Sequence, residues 1–250
     1  MIKEVSEIIS GFKRMGLNDV RQDFLQNRSD RKFFFEAEKL EQIIPALIPE
    51  YDILEVNHRT FHAYRTCYFD TAGRDLYQWH HNGKGNRFKL RYRQYENGEL
   101  FFEIKQKTNK NKTEKHRKFM TSFDDLRSKD LADFLRTITG AEMSMYSESL
   151  MVGQKRVSLI KKDFSEKLTI DTDLKFEGLH KRFGFHSLAI AEVKHMVKTN
   201  SLFLQKMKEC RIAETSFSKY CMGMMFAEEH LKSNAFKPLK LKLNALKYDF

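Results

Sequence analysis

The sequence has few residues that interrupt regular structure, with three prolines and eleven glycines in 250 residues. A long disordered linker is enriched in proline and glycine, so this composition argues against one. Hydrophobic residues make up 41% of the chain and aromatic residues 13%. That content is enough for a substantial core, and the length favours one domain, alone or with helical additions.

Cysteine is also scarce, and the sequence contains no long apolar run. Cys67, Cys210 and Cys221 are odd in number and do not have the spacing of metal ligands. No signal peptide is recognisable, so we expect a reduced, cytoplasmic compartment. Contact with the inner face of a membrane would then require a membrane-protein partner or a basic surface.

Several common catalytic motifs are absent too. The sequence has no glycine-rich phosphate loop, no HExxH-like zinc motif and no arguable Ser-His-Asp or Cys-His arrangement. The segment Gly83-Lys84-Gly85 is typical of a turn and lacks the context of a Walker motif. The chemistry must therefore be sought in charge patterning.

Positive charge is concentrated in one part of the chain. The formal net charge is +11, and residues 84–118 contain twelve Lys or Arg and four Glu, a local net charge of +8. A local excess of this kind indicates a binding site more than general solubility.

The densest cationic segment has a cation at every second position. Side chains on a strand alternate between faces, so these four cations would share one face. Like charges repel, and the arrangement is unfavourable unless an anion or carboxylates lie opposite. The segment therefore predicts a sheet face that holds a polyanion. Its four cations are Arg87, Lys89, Arg91 and Arg93.

The neighbouring segment carries the same pattern. Asn97-Gly98 is a strong hairpin signal, which makes residues 100–107 the expected neighbour of residues 86–95. Glu103 would then lie among the arginines and Lys105 would add to them, with further cations at residues 115–118. An ordinary solvated face is the alternative for any one strand. Repetition over three or four strands favours the polyanion site.

Carboxylates join the cations in the last strands. Lys167, Asp171 and Asp173 share one face of their segment, and Glu192 shares a face with Lys194. Hard oxygen ligands hold Mg²⁺ or Mn²⁺ while Lys and Arg hold phosphate oxygens, so this pattern indicates a metal–phosphate site. Cross-strand salt bridges are the alternative for the two aspartates.

Aromatic residues alternate out of register with the cations. Phe88 and Tyr92 would point to the opposite face from Arg91 and therefore towards the core. Proteins that bind single-stranded nucleic acid place cations and stacking platforms on one face. A ligand recognised through its phosphates alone therefore fits better, and no specific nucleic acid is expected.

The periodicity predicts many antiparallel strands, with helices at both ends and once in the middle. This pattern fits an α+β fold with a large sheet, either open or closed. The predicted helices lie at 3–15, 37–47, 124–138, 201–210 and 217–231, with a short helical turn at 75–81. The predicted strands lie at 31–36, 61–70, 86–95, 100–107, 115–121, 150–162, 167–174 and 187–196.

Seven segments in order, the fourth of them followed by a basic stretch, resemble the VTC domain, the polyphosphate polymerase branch of the triphosphate tunnel metalloenzymes. The resemblance extends over residues 28–226. It is carried by Arg28-Ser29-Asp30-Arg31-Lys32-Phe33, Tyr68-Phe69-Asp70-Thr71, Lys89-Leu90-Arg91-Tyr92-Arg93, Glu103-Ile104-Lys105, the basic residues at 115–118, Arg156 before Thr169-Ile170-Asp171, Glu192-Val193-Lys194 and Phe217-Ser218-Lys219-Tyr220.

The resemblance implies an antiparallel β-barrel tunnel of about eight strands, lined by side chains and flanked by N- and C-terminal helices. The tunnel domain would occupy residues 28–231, between an N-terminal helical extension at 1–27 and a lysine-rich tail at 232–250. The implied activity is transfer of the ATP γ-phosphoryl group to polyphosphate with Mn²⁺ or Mg²⁺. Glu192 would bind the metal, and Arg91, Arg93, Lys105 and Glu192 would be catalytic. The phosphate-binding residues would be Lys32, Lys89, Arg91, Arg93, Lys105, Lys115, Arg156, Lys167 and Lys219.

Three positions depart from the family pattern, and one of them is Leu159, where an aromatic residue is common. Asp30 stands where Glu is usual, which shortens the reach of the carboxylate. Lys167 stands where Arg is usual, which keeps the charge but loses the bidentate geometry. Hydrolysis of a triphosphate in the same tunnel therefore stays open, as does binding of polyphosphate, inositol phosphates or RNA without turnover. The oligomeric state is open as well.

Overall fold

The computed structural model describes residues 7–20, 28–110, 112–196 and 200–246. Within them the chain forms eleven strands and six α-helices. The strands are β1 Arg14–Gly16, β2 Arg28–Glu36, β3 Tyr51–Glu55, β4 His62–Asp70, β5 Arg87–Tyr95, β6 Leu100–Lys107, β7 Thr113–Met120, β8 Ser147–Lys161, β9 Glu166–Glu177, β10 Arg182–Phe185 and β11 Leu188–Met196. The helices are α1 Leu40–Leu47, α2 Asp75–His81, α3 Lys129–Thr139, α4 Leu202–Glu209, α5 Lys219–Ala227 and α6 Lys237–Ala245.

Most predicted elements are present, with shifted ends. The hairpin between β5 and β6 turns where Asn97-Gly98 predicted it, and Gly98 adopts the positive φ of 87° that such a turn requires. The predicted N-terminal helix is wrong in its last turn, because β1 occupies residues 14–16 and pairs in parallel with β3. Its start lies partly outside the described residues, and residues 7–9 are helical.

Eight strands form one continuous path in the order β2-β11-β9-β8-β4-β5-β6-β7, and every pairing along it is antiparallel. The short strands β1, β3 and β10 lie off this path. The eight-stranded antiparallel sheet with flanking helices confirms the prediction. The closed barrel that the resemblance implied is wrong, because among the described strands β2 and β7 end the path without pairing to each other.

The convex face of the sheet is covered by helices. Leu40, Ile43 and Phe203 of α1 and α4 are fully buried against β2, β8, β9 and β11. On the other half, Leu131 and Leu135 of α3 are buried against β4, β5 and β6. Apolar burial is the main favourable contribution to folding, so these layers fix which face of each strand points inwards.

The concave face, here called the lumen face, carries the charged residues, and helix α5 fills one part of it. Residues Tyr220 to Phe226 of α5 are buried against inward residues of β8 and β9. A side chain at Gly223 would place a Cβ 2.4 Å from Leu150 and 2.7 Å from Phe176, so only glycine allows this close approach. The approach brings Lys219, the first residue of α5, to the lumen face.

The C-terminal segment is ordered between residues 234 and 246. Helix α6 buries Leu239 and Leu243 in the same cluster as α5, so its lysines alternate with residues that pack on the domain. Among the described residues, no helix combines the length and apolar character needed to cross a bilayer.

Candidate phosphate-binding site

Strand register places the predicted cations side by side on the lumen face. Lys89 is the partner of Lys105, and Arg91 is the partner of Glu103. Lys105 is in turn the partner of Lys115 on β7. Directly paired residues of antiparallel strands point to the same face, so three neighbouring strands present their charges together.

Glu103 holds the cations of these three strands together. Its carboxylate is 1% exposed and accepts hydrogen bonds from Arg91 Nη2 at 2.6 Å and Nε at 2.7 Å, and it also contacts the Lys115 ammonium. Burial alone would raise its pKa, but the charges of Arg91 and Lys115 outweigh burial and lower it to about 2. Glu103 is therefore ionised and fixes the two cations in place.

A second buried carboxylate lies across the lumen. Asp171 on β9 is 2% exposed and accepts from Arg156 Nε at 2.5 Å and Nη2 at 2.7 Å. It also accepts a hydrogen bond from Lys219 of α5. Burial opposes ionisation, yet the charges of Arg156 and Lys219 hold the pKa of Asp171 well below its usual range. Asp171 therefore forms a cross-strand salt bridge, the alternative that the sequence left open.

Glu192, the predicted metal ligand, lies on the same face on β11. Its Oε1 is 2.8 Å from Lys32 Nζ and 3.3 Å from Lys194 Nζ. Lys194 also lies 3.0 Å from Asp30 Oδ2. Burial would raise the pKa of Glu192, but Lys32 and Lys194 keep it well below the usual value. The carboxylate is ionised and partly accessible.

Three lumen cations have no carboxylate partner in the part of the chain that the structure describes. Lys89 and Lys105 form no ion pair, and Arg93 donates only to the hydroxyl of Thr66, at 3.0 Å. Burial, together with neighbouring cations, lowers the pKa of Lys89 to about 8 and that of Arg93 to about 10. Burial is also the main cause that lowers the pKa of Lys105. An anion placed among them would relieve this repulsion.

The walls of the lumen approach one another although the sheet is open. Lys105 lies on β6, far along the sheet from β2 and β11, yet its pKa responds to the charges of Glu192, Lys32 and Lys194. The Lys105 side chain is exposed to solvent, as expected for a residue that lines a concave channel open to water. The sheet therefore curls so that both halves face one ligand space.

The remaining predicted residue, Lys167, lies on β9 as the register partner of Lys194. Predicted site residues thus come from β2, β5, β6, β7, β8, β9, β11 and α5. Sequence reasoning left Lys194 and Tyr68 out of the site set. Lys194 lies two residues from Glu192 and so on its face, a signal that was available. Tyr68, whose hydroxyl lies 3.5 Å from Arg91 Nη1, belongs to a segment that carries the family resemblance, but no site role was predicted for it.

The donor set for a divalent cation is small. No group of three or more His, Cys, Asp or Glu side chains suited to a metal exists among the described residues. Mg²⁺ is commonly held by one or two carboxylates together with substrate phosphates and water, and Glu192 fits that mode. Asp30 is linked to Glu192 through Lys194, which contacts both carboxylates.

Comparisons with known proteins agree with this geometry. A candidate adenylate cyclase from Bacillus halodurans is 15% identical, with a TM-score of 0.52 over 79% of this chain and 98% of that one. A candidate adenylyl cyclase from Hippeastrum with a dominant triphosphatase activity is 15% identical, with a TM-score of 0.48 over 78% of this chain and 94% of that one. At these identities the first likeness shows the fold alone, and the second carries no argument. None of the curated proteins matches the sequence.

The family comparison covers most of the chain. The VTC domain matches residues 27–227, which include β2, all later strands and α5. The fold is similar to that of the candidate adenylate cyclase, and the family model shows that the chain belongs to the VTC-domain family.

Proposed function

We propose that the protein transfers the γ-phosphoryl group of ATP to a growing polyphosphate chain within the lumen. The observation that carries the proposal is the group of unpartnered cations Lys89, Arg93 and Lys105, next to cations that Glu103 and Asp171 fix in place. A linear polyphosphate presents negative charge at regular intervals, and it would satisfy charges on both walls at once.

The proposed roles follow from the needs of phosphoryl transfer. The transferred group passes through a transition state with charge spread over its oxygens, so positioning and charge stabilisation matter more than a protein nucleophile. Arg91, Arg93 and Lys105 would hold the reacting phosphates. No general base is required, because a phosphate acceptor is already anionic at neutral pH. The other proposed phosphate ligands are Lys32, Lys89, Lys115, Arg156, Lys167 and Lys219.

Glu192 would hold the Mn²⁺ or Mg²⁺ on which activity depends. When bound, the cation would supply positive charge that neutralises the phosphates. Glu192 offers an ionised, partly accessible carboxylate for it. Lys32 and Lys194 would then be released from Glu192 to contact phosphate.

The test is incubation of the protein with ATP and Mn²⁺, followed by gel separation of polyphosphate and measurement of released phosphate. The wild type is expected to produce long chains. Arg91→Ala/Arg93→Ala and Glu192→Gln are expected to lose them, while Arg136→Ala, an exposed arginine on α3, retains them. Phosphate release without chain growth would indicate a hydrolase. The absence of both polyphosphate and released phosphate would refute turnover.

A second candidate is polyanion binding without turnover. It is favoured by the small set of metal ligands, since Glu192 is already paired with two lysines. Tight, salt-sensitive binding of polyphosphate that EDTA does not change, with no chain growth, would support this candidate over the first.

A further inference from the structure

Four aromatic side chains form a row across one end of the lumen face. The ring centroids of Tyr64 and Tyr95 are 5.2 Å apart, those of Tyr95 and Phe101 5.8 Å, and those of Phe101 and Phe119 5.3 Å. The row crosses β4, β5, β6 and β7. Phe101 is the register partner of both Arg93 and Phe119, so the rings share the face of the phosphate-binding cations.

This aromatic row does not belong to the core. Within the described parts of the chain, none of its four rings is a member of the three hydrophobic clusters. Phe119 is 57% exposed. A ring that stays in water gains little from burial, so packing does not account for an aromatic residue at this position.

Cations accompany the rings. Arg117 Cζ lies 3.4 Å from the centroid of Phe101, and Arg117 Nη2 donates to the Tyr95 hydroxyl at 3.1 Å. The Cζ atoms of Arg93 and Arg156 each lie 5.3 Å from the centroid of the Tyr64 ring. Aromatic rings interleaved with arginines on one face form the kind of surface on which nucleobases stack. The sequence argument against stacking considered Phe88 and Tyr92, which do point away from the lumen face.

We propose that the nucleobase of a nucleoside triphosphate stacks on this aromatic row, chiefly on Phe119. The triphosphate would extend inwards along β5 to Arg93, Arg91 and Lys89. Tyr95 and Arg91 are four positions apart, about 13 Å along a strand, a span that suits the ribose and phosphates of an extended nucleotide. This inference rests on the proposed function, because it concerns the nucleotide donor. The polyphosphate acceptor has no base and would not use the row.

The test compares two ligands that differ in the base. Calorimetry at fixed pH and salt would measure the Kd of the imido analogue of ATP, whose γ-phosphoryl group is not transferred, and of inorganic tripolyphosphate. Phe119→Ala is expected to weaken binding of the ATP analogue by about 5- to 150-fold, the range for loss of one base–aromatic stack. Tripolyphosphate binding should be unchanged. Phe119→Trp should restore binding of the analogue.

Phe123→Ala is the matched control, because Phe123 is 47% exposed and contacts Tyr92 on the opposite face of the sheet. It should leave both Kd values unchanged. Equal weakening of both ligands by Phe119→Ala, or no weakening of either, would overturn the inference while leaving the proposed function intact. A wild-type protein that binds neither ligand would overturn the proposed function itself.

Discussion

Lys89 is expected to destabilise the folded protein at neutral pH, because without a ligand its charge is kept in a buried position among other cations. Burial is the main cause that lowers its pKa from the usual 10.5 to about 8, and Lys105, Arg87 and Arg91 add to the effect. The difference between these pKa values corresponds to at most about 3 kcal/mol. Below pH 8 both the folded and unfolded chains carry the charge, so the full cost is present.

Replacing Lys89 with methionine removes the charge and keeps a similar volume. Lys89→Met is expected to raise the free energy of unfolding at pH 7 by up to about 3 kcal/mol, or the Tm by roughly 6–12 °C. Between pH 8 and 10.5 the folded wild type binds fewer protons than the unfolded chain, so its stability rises with pH. By pH 9.5 the advantage of the variant should shrink to about 1 kcal/mol.

The assay is urea unfolding of both proteins at pH 7 and pH 9.5, with tripolyphosphate binding measured beside it. Binding at pH 7 should weaken by about tenfold or more in the variant, since a charge-assisted contact is lost. Lys208→Met, at an exposed position on α4, should change stability by less than about 0.5 kcal/mol. A Lys89→Met protein that is less stable at pH 7, or equally more stable at both pH values, would refute the reasoning.

Three further predictions concern the carboxylates. Glu192→Gln should lower metal-dependent turnover by about 100-fold. The affinity for tripolyphosphate in EDTA should stay equal or rise, because Lys32 is released from Glu192. The control Glu142→Gln, on the surface, should match the wild type in both assays. Asp171→Asn should reduce the free energy of unfolding in urea at pH 7 by about 3–5 kcal/mol, because it leaves the partly buried Arg156 and Lys219 without their carboxylate partner. Glu103→Gln should cost up to about 3 kcal/mol above pH 4.5, and its difference from wild type should vanish as the pH falls towards 2, because the pKa of Glu103 is lowered to about 2 in the folded state.

The sequence predicted what depends on local alternation. Arg91 and Glu103 share a face because each strand alternates and Asn97-Gly98 fixes the register of the hairpin. The same alternation places Tyr95, Phe101 and Phe119 on the face of the cations. Turn chemistry and side-chain period are local properties, so a single sequence carries them.

The sequence could not predict contacts that depend on long-range packing. Lys219 reaches Asp171 only because Gly223 lets α5 lie close to Leu150 and Phe176. The short strand β3 was missed because Tyr51 to Leu54 are all buried and show no alternation. Closure of the sheet depends on its curvature and on the edges at β2 and β7, which alternation within a strand does not specify.

The lumen cations form two groups: those that a buried carboxylate holds in place, and those whose charge a bound ligand would neutralise. Glu103 and Asp171 each bind cations from different elements and hold them without a ligand, so Arg91 and Arg156 are already in position before binding. Charges fixed in advance need little reorganisation when charge develops on a reacting phosphate. Among the residues that the structure describes, Lys89 and Lys105 have no such partner, and a bound anion would relieve their charges. One group therefore provides geometry and the other provides binding free energy, which explains why a lumen with excess positive charge also contains buried acids.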